Sequence, residues 1–175
     1  MRIVITGGSG FIGTNLINYL NKKKFKLLNI DKISYASTHE KFKILRKKRN
    51  YSFLKVDICN FNLLEKTLNK FKPSFIINLA ANSHVDRSIV SPKDFFNENI
   101  VITQNVLEYL RRNKKIKLIH ISTDEVFGDV VKGRSKETDS YNPSSPYAAS
   151  KASSDHLVSS YIKTYKIPAI ITNCS

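Results

Sequence analysis

Tyr147 and Lys151 stand four residues apart in Tyr147-Ala148-Ala149-Ser150-Lys151, a spacing that sets a phenol and an ammonium on one face of a helix. A tyrosine that takes a proton from an alcohol near neutral pH must have its pKa brought down from ~10, which requires roughly 4 kcal/mol of preferential phenolate stabilisation. A nearby lysine can contribute part of that. Tyr-x-x-x-Lys is common by chance, so its chemical reading depends on a cofactor site elsewhere in the chain. Ser122-Thr123-Asp124-Glu125 adds a hydroxyl and two adjacent carboxylates. A plain alcohol oxidation needs only hydroxyl and phenol. Two acids in separate environments suit a reaction that also moves protons at carbon, one donating to a leaving hydroxyl while the other takes a C–H proton. Loop acids at a strand end are an equally good reading of that pair.

The cofactor site is offered by Gly7-Gly8-Ser9-Gly10-Phe11-Ile12-Gly13, which satisfies G-x-G-x-x-G from Gly8 and G-x-x-G-x-x-G from Gly7. A pyrophosphate needs backbone amides at close range and the positive end of a helix. Side chains are therefore absent at Gly7 and Gly10, and Gly13 lets the helix pack on the sheet. Asp31, eighteen residues beyond Gly13, is placed to accept hydrogen bonds from the adenosine ribose and to repel a 2′-phosphate, which favours NAD over NADP. Lys32 beside it works weakly against that exclusion. Asp57 is placed to reach the adenine amino group, or is a structural acid at a turn. Leu79, Ala80 and Ala81 put small residues where a dinucleotide crosses the sheet edge. With this site upstream, Lys151 can hold the nicotinamide ribose, and the positive nicotinamide can help to lower Tyr147.

The elements that position these groups alternate between β-branched runs and helical patterns, the mark of a parallel sheet with crossover helices. Strands are expected at Arg2 to Thr6, Lys26 to Ile30, Tyr51 to Val56, Ser74 to Ala80, Ile116 to Ser122 and Pro168 to Thr172. Helices are expected at Phe11 to Lys23, about His39 to Lys48, Phe61 to Phe71, Pro92 or Lys93 to Arg112, and about Tyr147 to Tyr165. In the first helix, Phe11, Leu16, Ile17 and Leu20 share one face. The apolar run Phe75, Ile76, Ile77 and Leu79 reads as a central strand buried on both faces. The segment from Gly128 to Ser145 is polar and irregular. The fold class is α/β, a doubly wound parallel sheet of the Rossmann kind, with all 175 residues forming one unit.

A chain of this length with 41% hydrophobic and 25% charged residues is neither disordered nor low in complexity. Its two cysteines, Cys59 and Cys174, are too far apart in sequence for a metal motif and too few for a disulfide framework, so a reducing, cytoplasmic setting is expected and no metal. No transmembrane stretch is present, and no membrane partner is expected. The net charge of +15 is densest from Lys41 to Arg49, without interleaved aromatic residues for base stacking; a solvated helix face is expected there, and no nucleic-acid partner.

Taken together, ITGGSGFIG at Ile5 to Gly13, DKISYA at Asp31 to Ala36, VDIC at Val56 to Cys59, LAANSHVDRSI at Leu79 to Ile89, ISTDEVFGD at Ile121 to Asp129 and PSSPYAASKASSDHLV at Pro143 to Val158 resemble the nucleotide-sugar 4,6-dehydratases of the extended short-chain dehydrogenase/reductase family. The resemblance spans essentially the whole chain, and the Thr-Asp-Glu triplet separates the dehydratases from the sister 4-epimerases. It implies NAD as a tightly held cofactor, touched by Gly7, Gly10, Phe11, Ile12, Gly13, Asp31, Lys32, Ser34, Asp57, Ile58, Leu79, Ala80, Ala81, Tyr147 and Lys151. It implies Thr123, Asp124, Glu125, Tyr147 and Lys151 as catalytic groups, with Ser83, Thr123 and Asn173 at the sugar nucleotide, dTDP-glucose. A homodimer through the two long helices is also implied.

Two residues depart from that pattern. Asn82 stands where relatives usually carry an acid, and Glu98 where a small hydroxyl residue is common beside Asn99. The family is also roughly twice as long as this chain, so the smaller substrate-binding C-terminal lobe is expected to be absent from these 175 residues.

Overall fold

A computed structural model describes residues 1–37, 49–130 and 132–175. The elements run β1 (Arg2–Thr6), α1 (Phe11–Asn21), β2 (Lys26–Asp31), β3 (Tyr51–Lys55), α2 (Phe61–Phe71), β4 (Phe75–Asn78), α3 (Val85–Val90), α4 (Pro92–Arg112), β5 (Lys117–Thr123), a 3-10 turn (Asp124–Phe127), α5 (Pro146–Tyr165) and β6 (Ala169–Cys174). The six strands form one parallel sheet in the order β3-β2-β1-β4-β5-β6. That order reverses direction between β1 and β4, and the carboxyl ends of those two strands open the crevice in which such sheets hold ligands.

Alternation along β1 sorts the two cores. Val4 joins Leu28, Ile76, Val106, Leu107 and Leu118 on one face, while Ile3 and Ile5 join Ile17, Leu27 and Ile77 on the other. Both faces of β1 and β4 are covered, which explains their unbroken apolar runs. The helix ends follow local chemistry. Asn60 caps α2 by accepting from Leu63 N, and Lys72 ends it in a left-handed conformation at φ 52°. Pro92 and Pro146 occupy the first positions of α4 and α5, where the missing N–H costs nothing.

Several expectations are corrected. Strand β3 stops at Lys55 and β4 covers only Phe75–Asn78, because their last residues turn into the loops that line the crevice. Strand β6 runs on to Cys174, held by pairing with β5 up to Thr123. Phe11 is 73% exposed at the open N-terminus of α1, while Ile17 of the same helix is fully buried. Helix α3 was not foreseen, since six residues are too few to show a period. The helix expected at about His39 to Lys48, with most of the basic run, lies outside the described residues. Among the described residues from Gly128 to Ser145 there is no helix or strand, as expected.

Candidate active site

The glycine loop owes its glycines to three different neighbours. Gly7 adopts φ +66°, and a Cβ there would lie 2.6 Å from the Ala80 Cα, so the close crossing of β1 and the end of β4 forbids a side chain. Gly13 faces the loop itself and not the sheet: its Cβ would come within 2.5 Å of the Gly8 Cα. At Gly10 a Cβ would meet nothing closer than the Gly7 carbonyl oxygen at 3.5 Å, and the space beyond belongs to a cleft of about 670 Å³. No side chain caps the amides at the N-terminus of α1.

Asp31 closes the loop from β2. Its carboxylate accepts from Ser9 N at 2.9 Å and from Ile33 N at 2.8 Å, the latter fixing Ile33 at φ +60°, a conformation β-branched residues rarely adopt. Asp57 is exposed and accepts from Cys59 N at 2.9 Å, so it serves the turn after β3 as well as lining the cleft. All fifteen residues expected at the cofactor line the cleft, from Gly7 and Gly10 through Asp31, Asp57 and Ala80 to Tyr147 and Lys151; Ser83 lines it too.

At the β5 end, Thr123 accepts from Glu125 N at 3.3 Å and so caps the 3-10 turn that presents Asp124 and Glu125 to solvent. The three lie outside the cleft wall, yet all act on Tyr147, Thr123 by a hydrogen bond and the two acids through their charge. Asn173 donates to the Thr123 carbonyl at 3.1 Å, tying β6 to that corner. Glu125 is pushed up from the usual carboxylate range by burial, then by Asp124 and Asp129. The protein's own groups raise Tyr147. Burial first, then the Glu125, Asp155 and Asp124 carboxylates, hold it up at about 12, with a Thr123 hydrogen bond acting the other way. Lys151 is 4% exposed, donates to the Ile121 carbonyl at 2.7 Å, and is held down at about 8 by burial.

Sequence reasoning missed what lies beneath these groups. Asp155, one turn beyond Lys151, is 1% exposed and accepts from Ser122 at 2.6 Å and Tyr141 at 3.1 Å. Its other oxygen lies 3.3 Å from Nε2 of the buried His120, whose pKa is lowered by burial. His120 Nδ1 meets the Asn78 amide at 3.2 Å, Asn78 accepts from Thr6 at 2.6 Å, and Thr6 accepts from Ala80 N at 3.3 Å. The polar chain therefore crosses β4, β1 and β5 under the cleft and joins the glycine-loop crossing to α5. The i, i+4 step from Lys151 to Asp155 was a readable signal; His120, one polar residue inside an apolar strand, was a weaker one.

The comparisons agree with this geometry. The family model described as GDP-mannose 4,6 dehydratase matches residues 4–175. A probable dTDP-glucose 4,6-dehydratase of Sinorhizobium fredii is 43% identical over 185 residues, covering 100% of this chain and 53% of its own length. The crystal structure of dTDP-glucose 4,6-dehydratase from Bacillus anthracis in complex with NAD superposes with a TM-score of 0.91 at 37% identity, over 100% of this chain and 55% of that one. The Streptomyces venezuelae dTDP-glucose 4,6-dehydratase, solved with NAD and TYD bound, gives 0.94 at 33% identity, over 99% and 55%. This chain thus spans about half the length of the curated relatives it matches. Sheet order, glycine loop and the Tyr147 corner coincide with a match running across nearly every residue, and the chain belongs to the GDP-mannose 4,6 dehydratase family.

Proposed function

We propose that residues 1–175 form the NAD-binding and catalytic unit of a nucleotide-sugar 4,6-dehydratase, a lyase that converts dTDP-glucose to dTDP-4-keto-6-deoxyglucose in deoxysugar synthesis of the rhamnose type. The observation that carries this reading is that Tyr147, at the end of a cleft that begins at the glycine loop, is hydrogen-bonded by Thr123 and feels the charges of Asp124 and Glu125. A dinucleotide fits the cleft, because the missing Gly10 side chain leaves its floor open and the α1 amides carry no side-chain cap. Asp31 and Ser34 would hold the adenosine ribose, Asp57 and Ile58 the adenine, and Tyr147 with Lys151 the nicotinamide ribose.

When bound, NAD would supply a reversible hydride acceptor for the C4 hydride that is later needed at C6. With the positive nicotinamide beside it to favour the phenolate, Tyr147 would take the C4 hydroxyl proton, with Thr123 donating to the same oxygen. The ketone formed at C4 would acidify the C5 proton, which Glu125 would remove and give back to C5 when the hydride reaches C6. Asp124 protonates the 6-hydroxyl, which leaves as water. Ser83 would contact the sugar and Asn173 would steady the corner. The two long helices α4 and α5 pack together on one face of the sheet, and a second copy of the chain is the proposed partner there. No described helix is long and apolar enough to cross a membrane, and the free cysteines Cys59 and Cys174 suit a reducing cytoplasm.

The test is mass spectrometry of dTDP-glucose after incubation with the chain and NAD. Loss of one water, abolished by Tyr147→Phe and Asp124→Asn, is expected. Tight NAD binding without any dehydration would replace this reading with that of a dinucleotide-holding module.

A further inference from the structure

Two ends of the cleft wall are bridged by side chains distant in sequence. Lys32, immediately after Asp31, reaches across to Glu98 of α4 and pairs with its carboxylate, both side chains being about one-third exposed. The same Glu98 oxygen accepts from the Asn82 amide at 2.9 Å. All three residues line the cleft. Neither end is free to drift. Asn99 clamps the Asn82 backbone, accepting from its N–H at 2.7 Å and donating to its carbonyl at 3.1 Å, while a second bond to Ser150 at 2.9 Å ties Asn99 to α5. On the other side, Asp31 fixes the backbone just after Lys32.

A cation beside the acid that ends β2 is the group that would accommodate a 2′-phosphate on the adenosine ribose. Lys32 occupies that place, and left alone it would offset the repulsion from Asp31. Paired with Glu98 its charge is neutralised, and its ammonium is drawn towards α4. An incoming phosphate would have to break that pair and approach two carboxylates. We propose that Glu98 is a specificity-determining residue, which engages Lys32 and makes the chain select the dinucleotide without a 2′-phosphate. This rests on the cofactor reading above and extends it to a residue that departs from the family pattern.

The test is equilibrium binding of NADH and NADPH, followed by nucleotide fluorescence at fixed low ionic strength. The parent chain is expected to prefer NADH strongly. Glu98→Gln keeps the helix and the Asn82 contact but removes the charge, and is expected to lower the NADH-to-NADPH preference about tenfold by gaining NADPH affinity. Retained NADH binding shows that the variant is folded. The gain must vanish in Glu98→Gln combined with Lys32→Ala. An unchanged preference, an equal change for both nucleotides, or a gain that survives without Lys32 would each overturn the inference. A parent that binds neither nucleotide would overturn the cofactor reading itself.

Discussion

At the glycine-loop end of the cleft the protein contributes backbone and open space, whereas at the β5–α5 end it contributes buried side chains. Gly7, Gly10 and Gly13 act through the atoms they lack, and the first turn of α1 has no side-chain cap. Around Tyr147 the reverse holds. Lys151 and Asp155 are buried ionisable groups, Ser145 caps α5, and a polar chain six residues long in side chains runs under the site. Substitutions at the first end should therefore act by sterics and at the second by electrostatics, and each prediction below sets one end against the other.

The largest effect is expected at Lys151. Its folded-state pKa of about 8 lies below the ordinary 10.5, so between those values the unfolded chain binds the proton and the folded one does not. Stability must then rise with pH through that window, and below it the buried ammonium costs about 3 kcal/mol. Lys151→Met should be more stable than the parent at pH 7 by up to that amount, with the gap closing from pH 8 to 10.5, and should lose turnover. Urea midpoints of both proteins at pH 7, 8, 9 and 10 read this directly. Cys59, held up at about 11, and the raised tyrosines weaken folding at high pH in both proteins and cancel in the difference. A gap that does not change with pH would show that Lys151 sits in no strained charge state.

Gly13→Ala and Gly10→Ala separate packing from ligand space within one loop. The Gly13 Cβ would strike backbone atoms that cannot yield, at a cost of about 2 kcal/mol. Gly10→Ala trades a favoured N-cap residue for a disfavoured one and should cost about 1 kcal/mol, yet its methyl enters the cleft and should weaken NAD about tenfold. Thermal melts with and without NAD distinguish them. Equal destabilisation by both would mean that the loop is packed tight throughout.

These contrasts follow what the sequence could and could not convey. Strand β1, the loop, Asp31 and the Tyr147–Lys151 pair were legible because each is written within a few adjacent residues: a period, a glycine spacing, one helical turn. Lys32 and Glu98 are 66 residues apart and Ser122 and Asp155 are 33 apart, and no local pattern encodes such meetings. Phe11 shares the spacing of the core-facing Ile17, yet the helix starts on the crevice rim, so Phe11 is exposed and lines the cleft. Spacing placed a cation one turn from Tyr147 but could not show that Lys151 turns to the Ile121 carbonyl, nor that the charges of three carboxylates act on the phenol.

The smallest effect should come from Ser145→Ala. Ser145 Oγ accepts from Ala148 N at 3.0 Å, and Pro146 follows it as the first residue of α5, so the cap governs the turn that carries Tyr147. Losing it should cost about 1 kcal/mol, a fall in melting temperature of about 3 °C. On the proposed reading NAD would be held mainly at the other end, where the α1 amides have no such cap, and its affinity should change less than about twofold. Turnover should fall more than affinity, because fraying displaces the phenol without touching the glycine loop, and Ser145→Thr should restore it by restoring the cap. If affinity instead fell in step with turnover, the polar chain from Ala80 to Asp155 would be coupling the two ends, and the division between a backbone-built and a side-chain-built half would have to give way to a single cooperative site.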